Sequence, residues 1–176
     1  ARELAKSRKY TVFSIDYRWT GRLDGDTELN TLVDLIEDVF GAIAHIQEHA
    51  EDYGLDPTRI AVTGDSAGGH LSASAANKAG MIGDAGYGET EGVFQFLPSY
   101  LPEGRTVDEV REQLSSAIQA AAPSYGIFGA EDILRNKMKD HPSGNWEHVA
   151  PIKTIPSVEV RAVPHLLLRG TKDWIK

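Results

Sequence analysis

The sequence of 176 residues contains no cysteine, which removes disulfides, a thiol nucleophile and any thiolate metal site from consideration. Positive charge is scarce as well. Lys and Arg number 18 against 26 Asp and Glu, leaving a formal charge of −8. A protein that grips a phosphate backbone would have to do so against that field, so nucleic acid is not expected as a partner. No apolar run approaches the roughly 20 residues that a membrane span requires. The first residues, Ala1 to Lys9, carry neither an initiating methionine nor the apolar core of a signal peptide, and they read as the interior of a longer chain. Internal repeats and low-complexity tracts are lacking too. What is present is ordinary globular material: 41% of the residues are hydrophobic, and a chain of roughly 150 residues can bury about 70% of the surface that its unfolded form exposes.

Periodicity predicts alternating strands and helices. Tyr10 to Tyr17, rich in β-branched and aromatic residues, reads as a strand following a short polar helical segment. From Asn30, Leu32, Leu35, Ile36, Val39, Phe40, Ile43 and Ile46 recur at helical spacing, and Gly54 stands where a helix C-cap belongs. Ile60 to Thr63 is a short apolar run of the kind found in a strand buried on both faces. Glycines follow at once, and then Leu71 to Ala79, a small-residue helix ending at Gly80. The stretch 81–104 fits neither period and reads as an irregular excursion. Thr106 and Glu109 have capping-box spacing at the head of a helix reaching about Ser116. Ile118 to Tyr125 is a further strand, Glu131 to Met138 a short helix, and His165 to Arg169 the last strand. Strands alternating with helices at this spacing indicate βαβ units and a mostly parallel sheet with flanking helices.

Chemistry concentrates at Gly64-Asp65-Ser66-Ala67-Gly68-Gly69, between a predicted strand and a predicted helix. In a Gly-x-Ser-x-Gly elbow the serine occupies a tight strand-to-helix turn that holds its hydroxyl outward, and side chains at Gly64, Gly68 and Gly69 would collide with neighbouring backbone. The Ala67 N–H lies at the helix N-terminus, where the dipole favours a developing oxyanion. The competing reading is a glycine-rich turn in which Ser66 only caps the helix.

The elbow with His70 and Leu71, the preceding Asp56-Pro57-Thr58-Arg59-Ile60-Ala61-Val62, and Phe13-Ser14-Ile15-Asp16-Tyr17-Arg18 resemble the α/β-hydrolase esterases and lipases of the hormone-sensitive-lipase and feruloyl-esterase-like groups. The resemblance covers nearly the whole chain. It implies an α/β-hydrolase fold, incomplete at both ends, with residues 1–176 forming the central part of one domain and 81–104 its least familiar portion. It makes Ser66 the nucleophile, Ala67 N–H an oxyanion donor and Asp173, in the turn Gly170-Thr171-Lys172-Asp173, the acid of the triad. Its general base should follow the acid, in the order Ser, Asp, His, yet three residues remain after Asp173. None of His45, His49, His70, His141, His148 and His165 suits that role. The family's His-Gly-Gly oxyanion loop is also lacking, along with the central strand before it. The expectation is therefore an internal portion of a serine carboxylic-ester hydrolase, inactive by itself and dependent on the N- and C-terminal parts of the same fold. Its substrate would be a small-molecule or carbohydrate-linked ester, and neither a metal nor an organic cofactor is called for.

Two alternatives stand beside this: a prolyl-oligopeptidase-like serine peptidase, and an α/β domain that keeps the elbow as structure and works by binding. Weaker features have plainer readings. Asp16, Tyr17 and Arg18 suggest a strand-end ion pair, and Asp24, Asp26 and Glu28 a solvated acidic loop without the calcium-loop pattern. Met81, Ile82, Val93, Phe94, Phe96, Tyr100 and Leu101 fit either a lid or acyl-pocket wall or a satellite core.

Overall fold

The computed structural model describes residues 2–21, 29–83, 95–142 and 144–173. The acidic-loop reading of Asp24, Asp26 and Glu28, and Val93 and Phe94 of the excursion, lie outside those residues. Helix α1 (Arg2–Lys6) buries none of its side chains. Residues 10–17 correct the sequence reading, because they enter no β-ladder among the described residues. Propensity alone does not make a strand; its backbone groups need a neighbouring chain to pair with. Phe13 instead meets Tyr53 edge-on at 5.0 Å.

Helix α2 (Leu32–Glu48) begins where local chemistry directs it: the Asp34 carboxylate accepts the Thr31 N–H at 2.7 Å and its hydroxyl at 3.0 Å. Arg18 binds Asp34 and Asp38 on this helix at 3.0 and 2.9 Å, so the ion pair expected of that segment is made with α2. After the short α3 (Ala50–Tyr53), Gly54 takes the left-handed conformation, φ 62°, that ends a helix without a Cβ penalty.

Strand β1 (Ile60–Asp65) and strand β2 (Ile118–Ser124) pair in parallel, Ala61 opposite Ala120 through Asp65 opposite Ser124. Residues 165–168 continue the sheet on the far side of β2, also parallel, with the Leu166 and Leu168 N–H groups donating to Ala121 and Pro123 carbonyls at 2.9 and 3.1 Å. All three segments therefore end on one edge. Burial on both faces of β1 is not observed. Ala61, Thr63 and Asp65 are exposed, while Ile60, Val62 and Gly64 are partly covered, because helices pack on only one of its faces among the described residues.

That covering is α4 (Ala67–Lys78), which lies against both strands; α2 packs on α4, and α5 (Val107–Ala117) packs against α2 and the turn that follows α4. The small side chains of α4 permit close approach, and Ala73, Ala75, Ala76 and Ser74 are buried. Phe40, Ile36, Leu114, Ile118 and Phe96 fill the space around them. Phe96 meets Phe40 edge-on at 6.0 Å and is fully buried, as is Ile82. Ile82 and Phe96 thus belong to the main core of the described residues, where the sequence reading expected either a lid or acyl-pocket wall or a separate satellite core. Lys78 is buried at the end of α4, donating to the Ala150 carbonyl at 3.3 Å and to the Thr154 hydroxyl. Burial pushes its amine down to about 7. Helix α6 (Glu131–Met138) spans the residues that periodicity predicts.

Candidate active site

Ser66 stands between β1 and α4 at φ 54°, ψ −115°. A non-glycine residue there is strained by its Cβ, and such strain persists only where surroundings impose it. Two close approaches impose it here. A Cβ at Gly64 would sit 2.5 Å from the Gly68 carbonyl carbon and oxygen, and one at Gly69 would press on the Ser124 carbonyl oxygen. Gly68 is different: a Cβ there meets nothing within 4 Å, so the collision expected at that position does not occur among the described residues. The Ser66 N–H donates to Ser124 O at 3.1 Å, tying the turn to the end of β2. The Ser66 and Ala67 side chains are exposed. The Ala67 N–H belongs to the first turn of α4, whose amides have no intrahelical acceptor and face the positive end of the dipole.

One support of the turn has no sequence signal. The Tyr125 hydroxyl donates to Asp65 Oδ2 at 2.6 Å, and its own φ is 36°. The carboxylate raises the phenol's pKa above the ordinary tyrosine value. Tyr125 N–H donates in turn to Leu168 O at 2.7 Å, so one residue joins the ends of β1, β2 and segment 165–168.

Asp173 follows that segment at the same sheet edge as Ser66. Its N–H donates to Gly170 O at 3.1 Å, its carboxylate lies 3.8 Å from Arg169 Nε, and its side chain is largely shielded from solvent. The histidines are arranged otherwise. His70 is buried with Nδ1 2.6 Å from Ile127 O, so that nitrogen carries the hydrogen. Nε2 has no hydrogen-bond partner among the described residues. Burial, opposed by the Ile127 carbonyl and aided by Lys78, pushes the imidazole down to about 4. His165 opens segment 165–168, at the end opposite Asp173, with Nδ1 2.8 Å from Val163 O. His45 and His49 lie on the last turn of α2 and just after it.

Between α4, α2 and α6 a cavity of about 120 Å³ opens beside the elbow, lined by Ala67, His70, Leu71, Leu32, Leu35 and Ile127 among others. Sequence periodicity assigned these leucines to the core; only the packing leaves a hollow between them next to Ala67.

No helix among the described residues is long and apolar enough to cross a membrane. Among known proteins, the chain is 33% identical over 153 residues to esterase LipQ of Mycobacterium tuberculosis, covering 78% of this chain and 30% of that one. It is 29% identical over 175 residues to the probable carboxylic ester hydrolase LipM of the same organism, covering 91% of this chain and 33% of that one. The chain thus spans about a third of the length of these curated relatives. Native Thermogutta terrifontis esterase 2 superposes with a TM-score of 0.52 at 20% identity, over 88% of this chain and 57% of that structure, which is a likeness of fold. A parallel sheet crossed by α4 behind a strained serine turn is the arrangement of the α/β-hydrolase fold. With residues 2–175 matched by the BD-FAE family profile, the chain belongs to the BD-FAE family, among the α/β-hydrolase esterases and lipases.

Proposed function

We propose that these residues carry the elbow of a serine carboxylic-ester hydrolase. The observation that carries the proposal is the backbone of Ser66, held at positive φ between β1 and α4 with its side chain exposed at a helix N-terminus. In this reading Ser66 Oγ attacks the ester carbonyl carbon while its proton passes to an imidazole. The carbonyl oxygen, now negative, is met by Ala67 N–H; the alcohol departs with the proton, and water releases the acid from the acyl-serine by the same steps. Asp173 orients the imidazole. His70 cannot supply it, because its ring is buried and committed to Ile127 O, and His165 stands at the wrong end of its segment. We assign proton transfer to a histidine outside these 176 residues, so that the chain alone would be inactive. The hollow beside Ala67 suits an apolar acyl group of a small ester, and the names of the mycobacterial relatives favour ester substrates.

The test is covalent labelling of the complete protein with a fluorophosphonate, followed by peptide mapping, together with turnover of p-nitrophenyl acetate. Label on Ser66, and hydrolysis lost by at least about 10³-fold in Ser66→Ala, are expected. Label on another serine, or a Ser66→Ala variant that retains its rate, would overturn the assignment.

A further inference from the structure

The far end of α2 carries a second set of functional groups that the esterase reading does not use. His45 and Glu48 lie on the last turn of α2 and His49 is the residue that caps it, so the three side chains gather at one end of the helix. Each offers one ligand atom such that all three atoms lie within 4.8 Å of one another. Glu48 Oε2 and His49 Nε2 are 3.6 Å apart, close to the edge of about 3.3 Å in a tetrahedron built on metal bonds of about 2.0–2.1 Å. The two imidazole rings stand 4.4 Å apart between centroids.

The groups around these three hold them as a metal centre would need. His49 Nδ1 is 3.1 Å from Asp52 Oδ2, an arrangement that places the hydrogen on Nδ1, fixes the ring and leaves the Nε2 lone pair directed elsewhere. The Tyr100 hydroxyl donates to Glu48, and the Tyr100 ring stands edge-on to His45 at 5.1 Å between centroids. The helix ends here, so the negative end of its dipole and a chain of net charge −8 both favour a cation.

We propose that His45, Glu48 and His49 form a binding site for one divalent transition-metal ion, of which Zn²⁺ is the representative. Two imidazoles and one carboxylate suit a borderline ion, whereas Mg²⁺ and Ca²⁺ require more oxygen ligands than three residues of this kind supply. The site lies away from the elbow. Gln47 Nε2 donates to Pro57 O at 2.8 Å, just before β1 begins, whereas Ser66 stands past the other end of that six-residue strand. The bound ion is therefore structural: it fixes Glu48, and through Glu48 the Tyr100 segment, to the end of α2. The inference is independent of Ser66 chemistry.

Calorimetric titration of chelator-stripped protein, free of any polyhistidine tag, with Zn²⁺ tests it. One ion per chain is expected. His45→Ala and His49→Ala should each weaken binding by at least about tenfold, and Asp52→Asn by about tenfold although it would not touch the ion. Zn²⁺ should raise the unfolding temperature of the parent and leave that of the His45→Ala, His49→Ala double variant unchanged, while both proteins unfold alike in the presence of chelator. Absence of saturable binding, undiminished binding by the double variant, or displacement of Zn²⁺ by equimolar Mg²⁺ would overturn the site.

Discussion

Tyr125 and Asp65, sixty residues apart in sequence, are joined by a 2.6 Å hydrogen bond from phenol to carboxylate immediately before Ser66. The bond holds together the ends of β1 and β2 that frame the elbow, so its removal should reach Ser66 through geometry. In the complete protein Tyr125→Phe is expected to lower kcat for p-nitrophenyl acetate several-fold with little change in KM. An unchanged kcat would make the contact incidental. Asp65→Asn should bring the Tyr125 phenol back toward its ordinary pKa, readable from the ring carbon shift in an NMR titration, because the charge that raises it is gone.

The glycines of the elbow should separate into two classes. Gly69→Ala places a methyl against the Ser124 carbonyl, and Gly64→Ala one against the Gly68 carbonyl. Both obstacles are backbone that cannot step aside, and each substitution is expected to destabilise by about 1–3 kcal/mol. Gly68→Ala meets open space and should leave the denaturant midpoint unchanged or slightly higher. A loss of stability in Gly68→Ala equal to that in Gly69→Ala would contradict the steric account.

His70 should make the protein acid-sensitive. Its native pKa of about 4 lies below the ordinary 6.5, so the unfolded chain takes up a proton as pH falls through 6.5 while the native state refuses it. Stability contributed by the neutral ring is complete above 6.5 and declines toward pH 4. Glu37, pushed up to about 7 by burial despite the Leu97 N–H that it accepts, acts in the opposite sense over an overlapping range, which makes the comparison with a variant necessary. His70→Gln keeps a donor for Ile127 O and leaves Glu37 in place. Between pH 7 and 4.5 it should lose less stability than the parent, by on the order of 2 kcal/mol. Parallel pH profiles in urea unfolding would refute this.

Lys78 should cost stability at neutral pH. Burial lowers its native pKa to about 7 from the ordinary 10.5, so the unfolded chain binds the proton more readily throughout that interval. Stability then rises as pH increases from 7 to 10.5. Lys78→Met keeps the volume and removes the charge at the expense of hydrogen bonds to Ala150 O and Thr154 Oγ1. It is expected to stabilise by about 1–3 kcal/mol at pH 7, with the gain gone by pH 10.5. A variant less stable than the parent at pH 7 would show that the hydrogen bonds outweigh desolvation.

What the sequence determined by itself was short-range. The Thr106 and Glu109 capping pair, the helices from Leu32 and from Glu131 and the left-handed Gly54 depend on residues within a few positions of one another, as does the close Gly64–Gly68 approach in the turn at Ser66, although the Ser124 carbonyl that also holds that turn comes from the fold. Steric and hydrogen-bonding rules for such neighbours act on a fixed geometry. The tertiary structure decided everything that needed a distant partner. Residues 10–17 have strand-forming side chains yet no ladder, since pairing is settled by whichever chain lies alongside. His70 sits in the elbow helix in any reading, but its neutrality follows from burial and from the Ile127 carbonyl 57 positions away. Tyr125 becomes a support of the elbow only when β1 and β2 are adjacent. Likewise, sequence reasoning left His45 and His49 as helix residues without a role and did not single out Glu48, since Tyr100, 52 residues on from Glu48, reaches that carboxylate only through the fold. Spacing assigns residues to a helix face; packing determines which other groups meet them there.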